Sequence, residues 1–231
     1  MRRFITQLPR RTFLLLMLAG WALIAQASLE YADFENLPGF VIEKLPVRFE
    51  TLWLFSLRAH VASAVLTFPL CIVLMTRWLQ RKPVLHRWLG RVAGTLMLLV
   101  LVPTGAILAF DAKGGPIVSA GFLLSGAIVA VAGVQGILAA RRRDLVTHRR
   151  AMRHVFAQMS VAVSSRVLMM VLDSNGMDPD RAYVVALWVP VLASAALAEL
   201  PAIRVACVRA LGVFRQRLLA SRLALSKGTP S

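Results

Sequence analysis

Four histidines are the residues best suited to chemistry in this chain. They stand in patterned places: His60 in "AHVASAVLTFPL", His86 in "VLHRWLGR", His148 in "VTHRRAMR" and His154 six residues further on. An imidazole carries protons near neutral pH and is a common ligand for metals and haem iron. The second and third strings share one frame of Val, any residue, His, Arg, three residues and Arg. His86 with Arg87 and Arg91 is thus repeated as His148 with Arg149 and Arg153. At a helix N-terminus this phrase adds an imidazole and two guanidinium groups to backbone amides that already favour an anion. Two copies facing one another across a pocket would offer axial haem ligands with arginines for the propionates, or a site for an anionic solute or lipid head group.

The elements that must position these groups are membrane helices. With 58% hydrophobic and 16% charged residues in 231, the chain is more apolar than a soluble core of this size can hide. A hydrocarbon layer of about 30 Å needs roughly 20 apolar helical residues. Such runs recur near residues 12–29, 51–76, 89–110, 116–140, 151–172 and 182–203. They are too long and too rich in Leu and Ala for barrel strands. The expected fold is all-α, a single polytopic bundle of six transmembrane helices. It has five if the first, preceded by Arg2 and Arg3 and followed by "AQA", is a cleaved signal.

Charge orients the bundle. Of 27 Lys and Arg, 21 fall in the N-terminal arm, the 77–91 and 141–153 connections and the tail after Pro201. Nine of the eleven acids fall at the opposite ends of the spans. The positive-inside rule therefore predicts a bacterial cytoplasmic (inner) membrane protein with both termini cytoplasmic. The net charge of +16 is spread over four short flanking segments, with no aromatic-interleaved basic surface, which argues against nucleic acid as a partner. The basic tail, residues 204–231, is expected to lie on the anionic inner leaflet, making membrane lipids the expected partners.

Polar residues deep in apolar runs carry more information, because each is costly there. Ser56, His60, Ser63 and Thr67 form one stripe on the second span, which must face other helices. His154, Gln158 and Ser165 are read as sharing a face of the fifth. Arg166 is read either as snorkelling toward Asp173 or as pairing inside the bundle, with an outer cluster of Arg58, His60 and Arg166 as one arrangement. Gly90 to Gly94 is a GxxxG, and the small residues of the fourth span predict a central, closely packed helix. Pro69, Pro103 and Pro190 interrupt three spans. Cys71 lies within a span and Cys207 in the inner tail, which disfavours a structural disulfide, and a mononuclear metal site is disfavoured by the lack of carboxylates in the spans and the separation of the two cysteines in sequence. No nucleophile triad, phosphate-binding loop or zinc signature is present in the sequence.

The strings around His60, His86 and "DLVTHRRAM", with Arg166 eighteen residues after His148, resemble a bacterial family of predicted membrane proteins, domain of unknown function twenty-three-oh-six. The resemblance covers residues 50–172, a four-helix core of two hairpins. It implies that His60, His86, Arg87, Trp88, Gly90, Arg91, Asp144, His148, Arg149, Arg150, Met152 and Arg166 occupy the family's patterned positions. The chain departs from the pattern at Ala151, where a Trp is expected, and at Arg153 and His154. The resemblance implies no activity. The general look is also similar to six-helix b-type cytochromes, which makes haem b- or quinone-linked redox the preferred expectation. His86 with His148 or His154 is the axial pair, since His60 belongs to the other half of the membrane. The alternatives are a non-redox solute or lipid binding or transport protein, and an assembly factor for respiratory complexes.

Overall fold

The computed structural model describes residues 8–33 and 36–200. The basic tail, Cys207 and most of the N-terminal arm lie outside those residues. Six helices are long and apolar enough to cross a membrane: Thr12–Ala32, Glu50–Leu74, Pro83–Phe110, Gly115–Arg141, Leu145–Ser174 and Pro179–Leu200. These are the first to sixth spans below, and no strand occurs among the described residues. The third and fifth begin six residues, nearly two turns, earlier than hydropathy alone suggests, so both copies of the histidine phrase are helical. Proline at the first turn starts the third span, where no amide partner is lost, while Asp144 caps the fifth. The connections carrying residues 77–82 and 142–144 mark the basic end of the bundle. Those carrying Asp111 and Asp178 mark the acidic end.

The second to fifth spans form a ring in which each packs on the next and the fifth returns to the second, leaving the third and fifth diagonally opposed. Phe68, Cys71, Met97, Leu101, Val129, Ala132, Phe156 and Met159 fill its centre. The first span lies along the second and fifth: Phe13 meets Phe156 edge to face with centroids 6.2 Å apart, and the Trp21 indole donates to the Val65 carbonyl at 2.9 Å. The sixth packs beside the fourth and fifth through Leu187 and Val191.

The polar stripe of the second span faces inward as expected, with Ser56, Ser63 and Thr67 all buried. The central role of the fourth span is also seen. A Cβ on Gly121 would lie 2.7 Å from Leu187, and one on Gly133 2.8 Å from the Met97 methyl. Small residues let helices approach this closely without a hydrophobic drive between them. The GxxxG of the third span does not act this way. A Cβ on Gly90 would have nothing within 4 Å, and one on Gly94 would meet only the tip of Ile137 at 3.4 Å.

Pro103 has the larger local effect. It has no N–H to give and its ring crowds the preceding turn, and the helix opens into a π turn over Met97–Leu101. Thr104, just beyond, returns its hydroxyl to the Val100 carbonyl at 2.6 Å. Pro69 leaves the second helix continuous from Glu50 to Leu74.

Candidate functional site

The widened turn of the third span decides the place of His60. Its Nδ1 lies 3.0 Å from the Leu101 carbonyl and 3.4 Å from the Thr104 hydroxyl. A carbonyl only accepts, so Nδ1 carries the proton. The ring lies against Gly105, where a Cβ would sit 2.9 Å from Cε1, so any larger residue would displace it. His60 thus ties the second span to the third. Arg58 turns the other way and donates to the Asp33 carbonyl at 3.2 Å, as residues two apart on a helix must. Arg166 donates to its own helix at Ala162, 2.8 Å away. The three do not form one outer cluster, and Arg166 makes no ion pair with Asp173 or with any carboxylate among the described residues.

At the basic end the two phrases are brought together, although only in part. His86 and His148 are each the fourth residue of their spans, at the basic end of the bundle. They stand on the diagonal pair of helices and lie close enough for their charges to interact. The His148 Nδ1 is 2.9 Å from the Gly136 carbonyl, to which it donates, which leaves the Nε2 lone pair open. The His86 Nδ1 is buried with no hydrogen-bond partner among the described residues. Such an atom is uncommon and points to a missing partner. Arg87, Arg91 and Arg149 are exposed around this mouth, with Arg91 5.4 Å from the centre of the Trp88 ring.

Symmetry fails at the remaining residues of the repeat. Arg153 leaves the mouth and donates from Nε to the Ala198 carbonyl at 3.3 Å. His154 also turns away, its Nε2 lying 2.7 Å from the Glu199 carboxylate, which accepts Arg150 as well at 2.9 Å. Positions 150, 153 and 154 share one helix face by their spacing, whereas 148 lies on another. Of the two candidates for a partner of His86, His154 is thus engaged by Glu199, while His148 meets only the Gly136 carbonyl through Nδ1. Nor is the N-terminus of the fifth span open to an external anion: Asp144 accepts from the Val146 and Thr147 amides at 3.1 and 3.0 Å. Bonding to Thr147, by side chain and backbone, holds the Asp144 carboxyl below its usual pKa, helped by the Val146 amide.

Sequence reasoning passed over Glu199, the carboxylate at the basic end of the sixth span. Its signal was present, because an acid at the basic end of a bundle whose other acids mostly lie at the opposite end needs a cation beside it. Deeper, Gln158 is fully satisfied: it accepts from Ser125 at 2.8 Å and donates to the Val191 carbonyl at 3.1 Å and the Ser194 hydroxyl at 3.0 Å. It joins the fourth, fifth and sixth spans and is a structural residue. Glu199→Gln should lower stability by only about 1 kcal/mol, since Arg150 is more than half exposed and water screens the pair. Thermal unfolding in detergent, in a double-mutant cycle with His154→Gln, measures the coupling.

The family model described as "Predicted membrane protein (DUF2306)" matches residues 57–202, well over half of the chain. The chain belongs to this family. The match extends past residue 172 through the sixth span, so the DUF2306 region includes the fifth–sixth clamp at Glu199 and is wider than the four-helix core. No curated protein and no solved structure matches. Membership establishes a predicted membrane protein, in agreement with the six spans, and leaves activity to the site itself.

Proposed function

We propose that this DUF2306 protein is a membrane electron-transfer protein that holds haem b with His86 and His148 as axial ligands. One observation carries the reading: two imidazoles at the basic end of diagonal helices, in electrostatic range of one another, one with its Nδ1 on a backbone carbonyl and the other with a buried Nδ1 lacking any partner among the described residues. A hydrogen bond from the far nitrogen to a carbonyl orients a ligating imidazole and raises its basicity. Gly136 performs that role for His148. Facing helices of a four-helix core are a recurrent frame for such cofactors. Arg87, Arg91 and Arg149 would supply cations for the propionates at the water-facing rim, and the cluster around Met97 and Phe156 an apolar floor. Bound haem b would contribute a one-electron couple.

The test is the absorption spectrum of protein purified in mild detergent from haem-supplied cells, oxidised and then reduced with dithionite. A Soret band with sharp α and β bands on reduction is expected. A colourless, folded protein overturns the proposal. It would favour the second reading, an anionic solute or lipid head group at the exposed arginines of the same mouth, for which those three cations are the support. The positive-inside rule supports a cytoplasmic position for the basic mouth in a bacterial inner membrane.

A further inference from the structure

The connection between the second and third spans is pinned from several sides. Leu79 is fully buried, and the Thr76 hydroxyl accepts from the Leu79 amide at 3.4 Å while donating to the Val73 carbonyl at 2.6 Å. The Gln80 side chain donates to the Leu74 and Met75 carbonyls, each at 3.4 Å. Pro83 then keeps Lys82 out of helical dihedrals, at φ −113° and ψ 80°. This frame sets two indoles and one cation in place. Trp78 and Trp88 are 59% and 60% exposed, the state of an indole that faces lipid at a membrane boundary. The Lys82 Nζ stands 4.3 Å from the centre of the Trp78 ring. Trp88 encloses a cleft of about 440 Å³ together with Lys82, Pro83, Val84 and Leu85. The cleft walls are apolar, so Lys82 contributes its carbon stem and keeps its ammonium at the rim.

Charge around the cleft has one sign. No carboxylate occurs between residues 77 and 91, a stretch that carries Arg77, Arg81, Lys82, Arg87 and Arg91. None of these five cations makes an ion pair among the described residues. Depth adds a second constraint. Trp88 lies about 8 Å of helix beyond Pro83, so the cleft runs from the head-group layer into the acyl layer. It is separate from the histidine mouth, because His86 lies about 200° around the helix from Val84.

We propose that this cleft binds one anionic phospholipid of the phosphatidylglycerol type, with its phosphodiester against the Lys82 ammonium and one acyl chain along Val84, Leu85 and Trp88. Apolar walls alone would accept any chain. The ammonium at the rim adds a demand for phosphate, and the unpaired cations beside it disfavour a head group that brings an ammonium of its own. A free anion would leave the apolar walls bare. The site rests on neither reading of the histidine mouth.

The experiment titrates the full-length protein, delipidated in dodecyl maltoside, with dioleoylphosphatidylglycerol and with dioleoylphosphatidylcholine. Bound lipid is counted by native mass spectrometry, alongside thermal unfolding. One phosphatidylglycerol is expected to bind about fivefold more tightly than phosphatidylcholine. Lys82→Gln is expected to remove that preference, and Trp88→Ala to weaken both lipids about threefold. Lys113→Gln, at the acidic end, is expected to bind as the native protein does. Lys82 is exposed and its replacement keeps the fold, so the test stands even where Trp88→Ala misfolds. No binding, equal affinity for the two lipids, an unchanged preference in Lys82→Gln or an equal loss in Lys113→Gln overturns the proposal. A loss in Arg149→Gln instead of Lys82→Gln would put the lipid at the histidine mouth and overturn it as well.

Discussion

His86→Ala and His148→Ala are each expected to abolish the Soret band of the purified protein, while His60→Ala and His154→Ala retain it. The contrast follows from what each ring already does. The His60 Nδ1 is committed to the Leu101 carbonyl in the acidic half of the membrane, and its neighbours are Thr104 and Gly105. His154 is committed to Glu199 on the face turned to the sixth span. His86 and His148 lie within electrostatic range of one another, and each keeps a ring nitrogen without a partner among the described residues. Loss of one axial imidazole from a low-spin bis-histidine haem leaves an open coordination position, so a residual high-spin band in one variant, restored by added imidazole, would still identify the ligand pair. Retention of the native spectrum in His86→Ala or His148→Ala would disprove the assignment. His60→Ala should lower stability by about 1 kcal/mol through the lost interhelical hydrogen bond, with little effect on colour.

Gly136→Val should be the most damaging single change in the core, with a loss of about 1–3 kcal/mol and of most of the colour. Gly136 lies where the fourth and fifth spans approach most closely at the basic end. A Cβ there would run into the Met152 methyl and lie 3.2 Å from the Ala151 Cβ. The Met152 tip can swing aside for one methyl, so Gly136→Ala should be nearly neutral. Two further methyls have no such outlet. They push the helices apart and move the Gly136 carbonyl away from the His148 ring. Thermal unfolding and the Soret absorbance per mole of protein, measured on both variants, check this order. Equal stability and equal colour in Gly136→Val would show that the approach is not tight. Ala151 takes part in the same contact: with Gly136 opposite, a position at which a Trp is expected is occupied by a side chain small enough for the approach.

Sequence by itself determined the class of the protein. Uncharged runs of about 20 residues have one stable form in lipid, because each backbone amide must be paired within its own segment. Their number, their boundaries to within about two turns, the inward stripe at Ser56, Ser63 and Thr67, and the packing role of the fourth span follow from that constraint and from helical periodicity. The histidine phrase was legible as well, since its spacing is a local property.

Only the tertiary structure decided which groups meet. Hydropathy does not record the rotation of one helix against another, and that rotation decides which neighbour is met by each of His148 and His154, whose positions differ by about 120° around their helix. One of them turns to the mouth and the other to Glu199. The same rotation brings Arg58 to the Asp33 carbonyl and His60 to the Leu101 carbonyl. The π turn at Pro103 that fixes His60 and the close approach at Gly136 that fixes His148 are also contacts between spans. A pattern along one helix specifies which faces are polar. Which neighbour each face meets is set by the packing of all six.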